Sequence, residues 1–217
     1  MDIAILYEDG EALVIDKPAG LPLDPPRAGG ESLANHLGAL KLGFQRPPVA
    51  VHRLDRDTSG CLLLARNPKA LRRFAAAFEA RAVEKLYLGI VAGAPPGEEG
   101  TIALALSKVS SERDGWRMIA ARKGKPAVTH WRRMAGAGGL TLVAFRPETG
   151  RTHQIRVHAA AGLGLPLLGD PLYGDGKGAA RTMLHAAELT VPRAGKPPIV
   201  ARAPLPADFA ALGFGDG

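Results

Sequence analysis

Residues 52–65 read HRLDRDTSGCLLLA, a charged stretch that runs directly into a continuous apolar segment. The apolar segment, Cys61–Ala65, is short enough to be a buried β-strand rather than a helix. In front of it, Asp55 stands between two arginines, whose positive charge favours the ionised form of its carboxylate. We interpret Asp57 and the following residues 58–60 as a structural turn, in which the Asp57 carboxylate caps backbone amides.

Hydrophobic patterns on both sides of this strand predict further strands and few helices. A β-hairpin is expected from Ile3–Tyr7 and Ala12–Asp16, which are joined across an Asp-Gly turn. Asn67 is the expected N-cap of an amphipathic helix, Pro68–Ala80. Because strands follow one another without βαβ alternation, we expect an α+β fold with a largely antiparallel mixed β-sheet and flanking helices, in one domain over 1–217. The other predicted helices are Ser32–Leu40 and Arg151–Ala161, and the other predicted strands are Leu86–Val91, Trp116–Ala120, Ala127–Met134, Leu140–Phe145, Leu184–Val191 and Ile199–Ala203.

The composition narrows the class of protein. Hydrophobic residues make up 46% and charged residues 23% of the chain, as in ordinary soluble globular proteins. No apolar run reaches the roughly 18 residues that a membrane span needs, and the N-terminus lacks the pattern of a signal peptide. The single cysteine, Cys61, excludes an intramolecular disulfide. We therefore expect a cytoplasmic protein, with a monomer as the default state.

Positive charge is unevenly distributed along the chain, whose net charge is +7. Residues 1–50 hold 4 basic and 7 acidic side chains, whereas residues 101–150 hold 9 basic and 3 acidic ones. Within the latter range, the segment Lys108–Arg133 holds 8 basic and 2 acidic side chains. Such a zone suits an anionic partner, of which nucleic acid is the commonest, although a solvated basic face would have the same composition.

Motifs for nucleotide cofactors and metals are missing from the sequence. It contains neither the GxxxxGK[ST] pattern of a phosphate-binding loop nor a GxGxxG that opens a βαβ unit. His153 and His158 are five residues apart, a spacing that places the two imidazoles poorly on one helical face, and no acidic residue nearby completes a metal triad. We expect neither a metal nor a cofactor.

A second polar cluster, GRTHQIRVH, occupies residues 150–158. Arginine and backbone amides at the start of a helix bind phosphate or pair with a buried carboxylate. The cluster by itself leaves open a solvated helix with ordinary surface arginines.

The stretches HRLDxxTSG at 52–60 and GRTHQIRVH at 150–158 resemble motifs of the RluA family of pseudouridine synthases. The resemblance covers nearly the whole chain and implies the catalytic fold of these enzymes. Some relatives carry an N-terminal S4-type RNA-binding domain; because the first hairpin begins at residue 3, we expect none here. Further similar motifs follow in the family's order: KPAG at 17–20, EKLY at 84–87, LGDPLYG at 168–174, LHA at 184–186 and APLPADF at 203–209.

The resemblance implies an isomerase that converts specific uridines of ribosomal RNA or transfer RNA to pseudouridine. In this reaction the N1–C1′ glycosidic bond breaks, the uracil turns and a C5–C1′ bond forms. The target base must leave its stack, so base flipping is expected. Structured RNA is the implied partner, and no cofactor or metal is implied.

By the same resemblance, Asp55 is the catalytic carboxylate, and three roles stay open: attack on the sugar carbon, attack on the base, or removal of a sugar proton. Tyr87 would stack on the uracil and act as a general acid or base at the carbon that loses its proton. Arg156 would pair with Asp55 and hold it ionised and oriented. The expected RNA contacts are Arg53, Arg122, Lys123, Lys125, Arg151 and His153.

The sequence disfavours two other classes of function. An RNA-binding or chaperone protein that keeps the fold without catalysis is disfavoured, because every expected active-site position is filled. A carboxylate-dependent hydrolase such as a glycosidase needs a second acid, and Asp57 is too near Asp55 in sequence to form such a pair.

Overall fold

The computed structural model describes residues 2–26, 28–111 and 115–215. In it the chain divides into two compact units. Unit 1 comprises Met1–Lys85 and His185–Pro204, and unit 2 comprises Leu86–Leu184 and Leu205–Gly217. Part of the predicted basic segment, residues 112–114, lies outside the described residues.

The strands and helices alternate irregularly along the chain, so no βαβ repeat is present among the described residues. The strands are β1 (Ile5–Glu8), β2 (Ala12–Lys17), β3 (Val49–Ala50), β4 (Ser59–Ala65), β5 (Glu84–Ala92), β6 (Glu99–Ala103), β7 (Leu106–Ser111), β8 (Gly115–Ala120), β9 (Val128–Ala137), β10 (Leu140–Pro147), β11 (Leu184–Val191) and β12 (Ile199–Arg202). The helices are α1 (Leu33–His36), α2 (Pro68–Glu79), α3 (Gln154–Val157) and α4 (Ala207–Ala211), with a 3-10 turn at Ala39–Lys41 and a π-helical turn at His158–Leu163.

In unit 1 the predicted apolar strand, β4, lies inside a sheet. It pairs with β2 on one side in antiparallel fashion and with β11 on the other in parallel fashion. β1 extends the sheet beyond β2, and β12 pairs with β11. All seven residues of β4 are buried, which explains why its run Cys61–Ala65 is apolar without alternation.

The predicted amphipathic helix, α2, covers the core of unit 1. The Asn67 side chain caps it by accepting a hydrogen bond from the Ala70 N–H at 2.9 Å, and Pro68 occupies the first helical position. Phe74 is fully buried among side chains of β2, β4 and β11. The sequence prediction for this helix is therefore confirmed, and the observed end, Glu79, is one residue earlier than predicted.

In unit 2 the antiparallel sheet contains β5, β10, β9 and β6, and β7 pairs with β8 as a separate two-stranded sheet. Phe145 and Val143 of β10 are fully buried and pack in one cluster with Trp131 and with Ile155 of α3. Both units are dominated by antiparallel pairs, with the β4–β11 pair parallel. The predicted α+β class with a largely antiparallel mixed sheet is confirmed.

Two predicted helices differ from the structure. The segment Ser32–Leu40 contains α1 and part of the 3-10 turn rather than one helix. The segment Arg151–Ala161 is helical only from Gln154, and its helix continues to Leu163 as a π-helical turn. The strands β6 and β7 were not predicted individually. Among the described residues, no helix is long and apolar enough to cross a membrane.

Candidate active site

Asp55 lies in the loop between β3 and β4 of unit 1, where it is half-buried. Its carbonyl oxygen accepts a hydrogen bond from the Thr58 N–H at 3.2 Å, which closes a tight turn. At the tip of this turn, the exposed Arg56 donates from Nε to Asp57 Oδ1 at 3.0 Å. A backbone hydrogen bond therefore closes the turn that carries Asp55, immediately before the buried strand β4.

The buried Lys17 holds this loop from the side of the KPAG segment. Its side chain is 0% exposed, and its Nζ donates to the carbonyl oxygens of Pro18 at 2.7 Å and Arg56 at 3.0 Å. The Arg56 carbonyl also accepts from the Gly20 N–H at 2.9 Å. Lys17 therefore ties the end of β2 to the loop that carries Asp55. Sequence reasoning did not assign this role, although a lysine at the end of an apolar strand is a signal that could have indicated it.

His52 anchors the start of the same loop. Its ring stacks on Phe78 with centroids 4.7 Å apart, and its Nε2 accepts a hydrogen bond from the Leu63 N–H at 3.0 Å. Burial, followed by the positive charge of Lys85, lowers the pKa of His52 to about 4. His52 is thus a neutral acceptor at neutral pH, while the neighbouring Arg53 is exposed to solvent.

In unit 2, Arg156 of α3 is held by a carboxylate to which sequence reasoning assigned no role. Its Nε and Nη2 donate to the two carboxylate oxygens of Asp170 at 2.7 and 2.8 Å. Asp170 is 0% exposed and also accepts from the backbone N–H groups of Leu172 and Tyr173. Burial raises the pKa of the Asp170 carboxyl, but the bonds and charge of Arg156 outweigh it, and the net pKa lies below the ordinary value. The LGDPLYG motif was the available signal for this partner.

Beside Arg156, three aromatic rings form a series in which the His153 ring contacts both Tyr173 and Trp116. The guanidinium carbon of Arg156 lies 5.1 Å from the centroid of the Tyr173 ring. The Tyr173 hydroxyl lies 2.8 Å from His153 Nδ1. The His153 ring stacks on Trp116 with centroids 5.1 Å apart. His153 has a left-handed backbone, with φ +52°, which is uncommon for a residue other than glycine.

The second histidine of the 150–158 cluster, His158, is a buried structural residue. Its Nδ1 lies 2.9 Å from the Thr129 hydroxyl, and its Nε2 lies 3.1 Å from the Leu104 carbonyl oxygen. Since a carbonyl only accepts, Nε2 carries the proton, and burial lowers the pKa of the ring. Within residues 2–26, 28–111 and 115–215, no group of three or more His, Cys, Asp or Glu side chains could hold a metal ion.

The other predicted site residues are distributed over both units. Tyr87 lies on β5 in unit 2, half-buried, opposite Phe145 of β10. Lys123, Lys125 and Arg151 come together in unit 2, where they line a groove of ≈ 530 Å³. Arg122, next to this groove in sequence, is exposed. The other lining residues are Leu106, Ser107, Lys108, Met118, Gly124, Gly150 and Thr152.

Several known proteins that resemble this chain are named as pseudouridine synthases. Residues 11–161 match the model of a family described as RNA pseudouridylate synthase. A protein of Zymomonas mobilis named as an uncharacterized RNA pseudouridine synthase is 58% identical over 212 residues, which are 97% of each chain. Ribosomal large subunit pseudouridine synthase D of Xanthomonas campestris is 40% identical over 228 residues, which cover 96% of this chain and 67% of that protein.

A solved structure has the same fold. Human RNA Pseudouridylate Synthase Domain Containing 4 superposes with a TM-score of 0.79 at 26% identity, over 95% of this chain and 90% of that chain. Several curated relatives are longer than this chain, which spans between 60% and 78% of their length.

Proposed function

The chain belongs to the RluA family of RNA pseudouridine synthases, which are isomerases, and we propose that it converts specific uridines of ribosomal RNA or transfer RNA to pseudouridine with Asp55 as its catalytic carboxylate. One observation carries this proposal: the family match over residues 11–161 includes Asp55, Tyr87 and Arg156. The name of the Xanthomonas relative supports ribosomal RNA as one substrate class.

The proposed reaction exchanges one bond within a single nucleoside. The N1–C1′ bond breaks, the uracil turns and C5 bonds to C1′; a general base then removes the proton from C5, and N1 takes up a proton from the solvent. Because the product is an isomer of the substrate, no oxidant, reductant or second substrate is consumed. The target uridine is flipped out of its stack before the reaction, since its C1′ is otherwise out of reach of a side chain.

Asp55 acts in this proposal as an ionised carboxylate beside the ribose of the flipped uridine. Tyr87 stacks on the uracil and its hydroxyl exchanges the proton at C5. Arg156 pairs with Asp55 and keeps it oriented. The Arg156–Asp170 ion pair is compatible with this role, because a guanidinium carries five N–H donors and one arginine side chain can bind two carboxylates at once.

The RNA backbone lies, in this proposal, along the groove lined by Lys123, Lys125 and Arg151. Arg122 and His153 flank this groove, and Arg53 contacts the RNA near the flipped nucleotide. Clustered Lys and Arg side chains bind phosphates without reading the base sequence. We further propose that residues 1–217 act as one catalytic domain, as a monomer in the cytoplasm.

Substitution of Asp55 tests the assignment. Asp55→Asn and Asp55→Ala should keep the circular dichroism and melting temperature of the wild type but abolish pseudouridine formation on RNA from a strain that lacks this gene. Asp57→Asn is the matched control, because Asp57 lies in the same turn and is bonded to Arg56. Activity in both Asp55 variants would contradict the assignment. Rescue of a deletion phenotype by the inactive variants would favour a role in RNA binding without catalysis.

The target nucleotides are found by mapping pseudouridines in all RNA of a strain with and without this gene. Sites in ribosomal or transfer RNA that disappear with the gene, and return with the wild type but not with Asp55→Asn, are expected. Identical maps in the two strains would contradict the proposed substrate.

A further inference from the structure

One tryptophan of the chain lies on the surface of unit 2. The sequence contains two tryptophans, of which Trp131 is 7% exposed within the core, whereas Trp116 of β8 is 45% exposed. A single exposed apolar side chain has no special meaning by itself. What distinguishes Trp116 is that polar and charged neighbours hold its ring in a defined position.

Two neighbouring side chains contact the ring of Trp116. His153 stacks on it with an interplanar angle of 27°, and the Lys108 ammonium lies 5.0 Å from its centroid. His153 is itself positioned by the Tyr173 hydroxyl, which accepts a hydrogen bond from the Met118 N–H at 3.0 Å. A ring that is already fixed loses little conformational freedom on binding, so that it is a good surface for stacking.

The same contacts lead from Trp116 towards Arg156. Trp116 contacts His153, His153 contacts Tyr173, and Tyr173 lies under the Arg156 guanidinium. All four side chains belong to unit 2. Because Arg156 is proposed to act at the flipped uridine, Trp116 is placed to meet a nucleotide close to the target.

The surroundings of Trp116 favour a nucleic acid as its ligand. Lys108, whose ammonium lies over the Trp116 ring, also lines the groove that contains Lys123, Lys125 and Arg151. A basic groove that follows a backbone, together with an aromatic ring on which a base stacks, is how proteins bind unpaired nucleic acid. A peptide or a membrane would not use both features, since neither combines regularly spaced phosphates with flat bases.

We propose that Trp116 is a stacking platform for an unpaired base of the substrate RNA, near the flipped uridine, while the phosphates of the same strand lie in the basic groove. The proposal rests on the proposed function, because it concerns the RNA that the enzyme modifies. Stacking on a flat ring does not select one base, so Trp116 recognises an unpaired region by its shape and not by its sequence.

The test compares Trp116→Ala and Trp116→Phe with the wild type for binding to a short single-stranded oligouridine and to unmodified ribosomal RNA. Trp116→Ala should raise the Kd about tenfold, and Trp116→Phe should raise it less, since phenylalanine still stacks. Neither variant should change the slope of log K against log salt, because no charge is lost. Met134→Ala is the control, since Met134 is another exposed apolar side chain of unit 2, 55% exposed on β9.

Fluorescence gives an independent measure. RNA should quench the tryptophan emission of the wild type, and this quenching should disappear in Trp116→Phe, where the buried Trp131 is the sole tryptophan. An unchanged Kd in Trp116→Ala, or full quenching in Trp116→Phe, would overturn the platform even if the enzyme makes pseudouridine. If Trp116→Ala weakens RNA binding as predicted but the wild type makes no pseudouridine, the proposed function is contradicted and the platform is not.

Discussion

At the scale of single residues, two bidentate arginine–carboxylate ion pairs of unit 2 differ in how far the carboxylate is buried. Asp170 binds Arg156 with both oxygens and its side chain is 0% exposed. Asp208 binds Arg181 with both oxygens, at 2.6 and 3.0 Å, but its side chain is 45% exposed. Removing one partner of a buried pair leaves the other charge without water, whereas an exposed partner is simply rehydrated.

We therefore expect Asp170→Asn to lower the free energy of unfolding by about 3 kcal/mol, and Asp208→Asn to lower it by at most about 1 kcal/mol. Urea unfolding of the two variants measures the difference. If Arg156 acts at the active site, Asp170→Asn should also reduce pseudouridine formation under conditions where the variant is folded, and Asp208→Asn should not. Equal destabilisation in both variants would show that burial of Asp170 is not the deciding factor.

At the scale of elements, Gly60 allows the Asp55 loop to enter the sheet of unit 1. Gly60 has φ +104°, a conformation that side chains disfavour, and it pairs with Ala186 in the parallel contact of β4 with β11. A Cβ atom on Gly60 would lie 2.2 Å from the carbonyl oxygen of Ala186. One step earlier, the hydroxyl of Ser59 lies 2.9 Å from His185 Nδ1, so that this pairing is also fixed by side chains.

Gly60→Ala should therefore destabilise unit 1 by about 3 kcal/mol or more, because the backbone of β11 must move to remove the collision. Gly138→Ala separates the two causes, since Gly138 also has a positive φ, +56°, but nothing lies within 4 Å of its added Cβ. That control should cost only about 1 kcal/mol of backbone strain. Thermal and urea unfolding of both variants measure the two losses of free energy of unfolding. Similar losses in both variants would contradict the expectation.

For the molecule as a whole, the effect of the net charge of +7 on RNA binding depends on where the positive side chains lie. Lys123 and Lys125 line the basic groove of unit 2, and the exposed Arg122 precedes them in the chain. Phosphate contacts release counterions, so that affinity for RNA falls as the salt concentration rises. The number of contacts is therefore readable from the slope of log K against log salt.

Neutralising Arg122, Lys123 and Lys125 together to glutamine should weaken RNA binding and reduce that slope by up to about 2, which corresponds to three contacts with a single strand. The matched control neutralises Lys69, Arg72 and Arg81, three positive side chains exposed in unit 1. It removes the same net charge from another surface and should leave the slope near that of the wild type. The same flattening in both variants would show that net charge, not the groove, drives binding.

Much of the fold was predictable because its signals are local. The apolar run at 61–65 is enough to predict β4, and Asn67 with Pro68 is enough to start α2, since caps and periodicity act between near neighbours. The start of α3 was predicted wrongly at Arg151. There the Gln154 side chain accepts from the Arg151 N–H and donates to Thr129, which is 25 residues away and could not be foreseen.

The motifs along the chain are enough to identify the family, and with it the candidates Asp55, Tyr87 and Arg156, because they recur in a recognisable order. Their catalytic roles remain predictions. That Asp170 holds Arg156, and that Lys17 binds the loop carrying Asp55 from 39 residues away, becomes visible once the chain is folded. The reason is physical: a buried charge takes its partner from whatever the fold brings within hydrogen-bond distance, and spacing along the chain does not specify it.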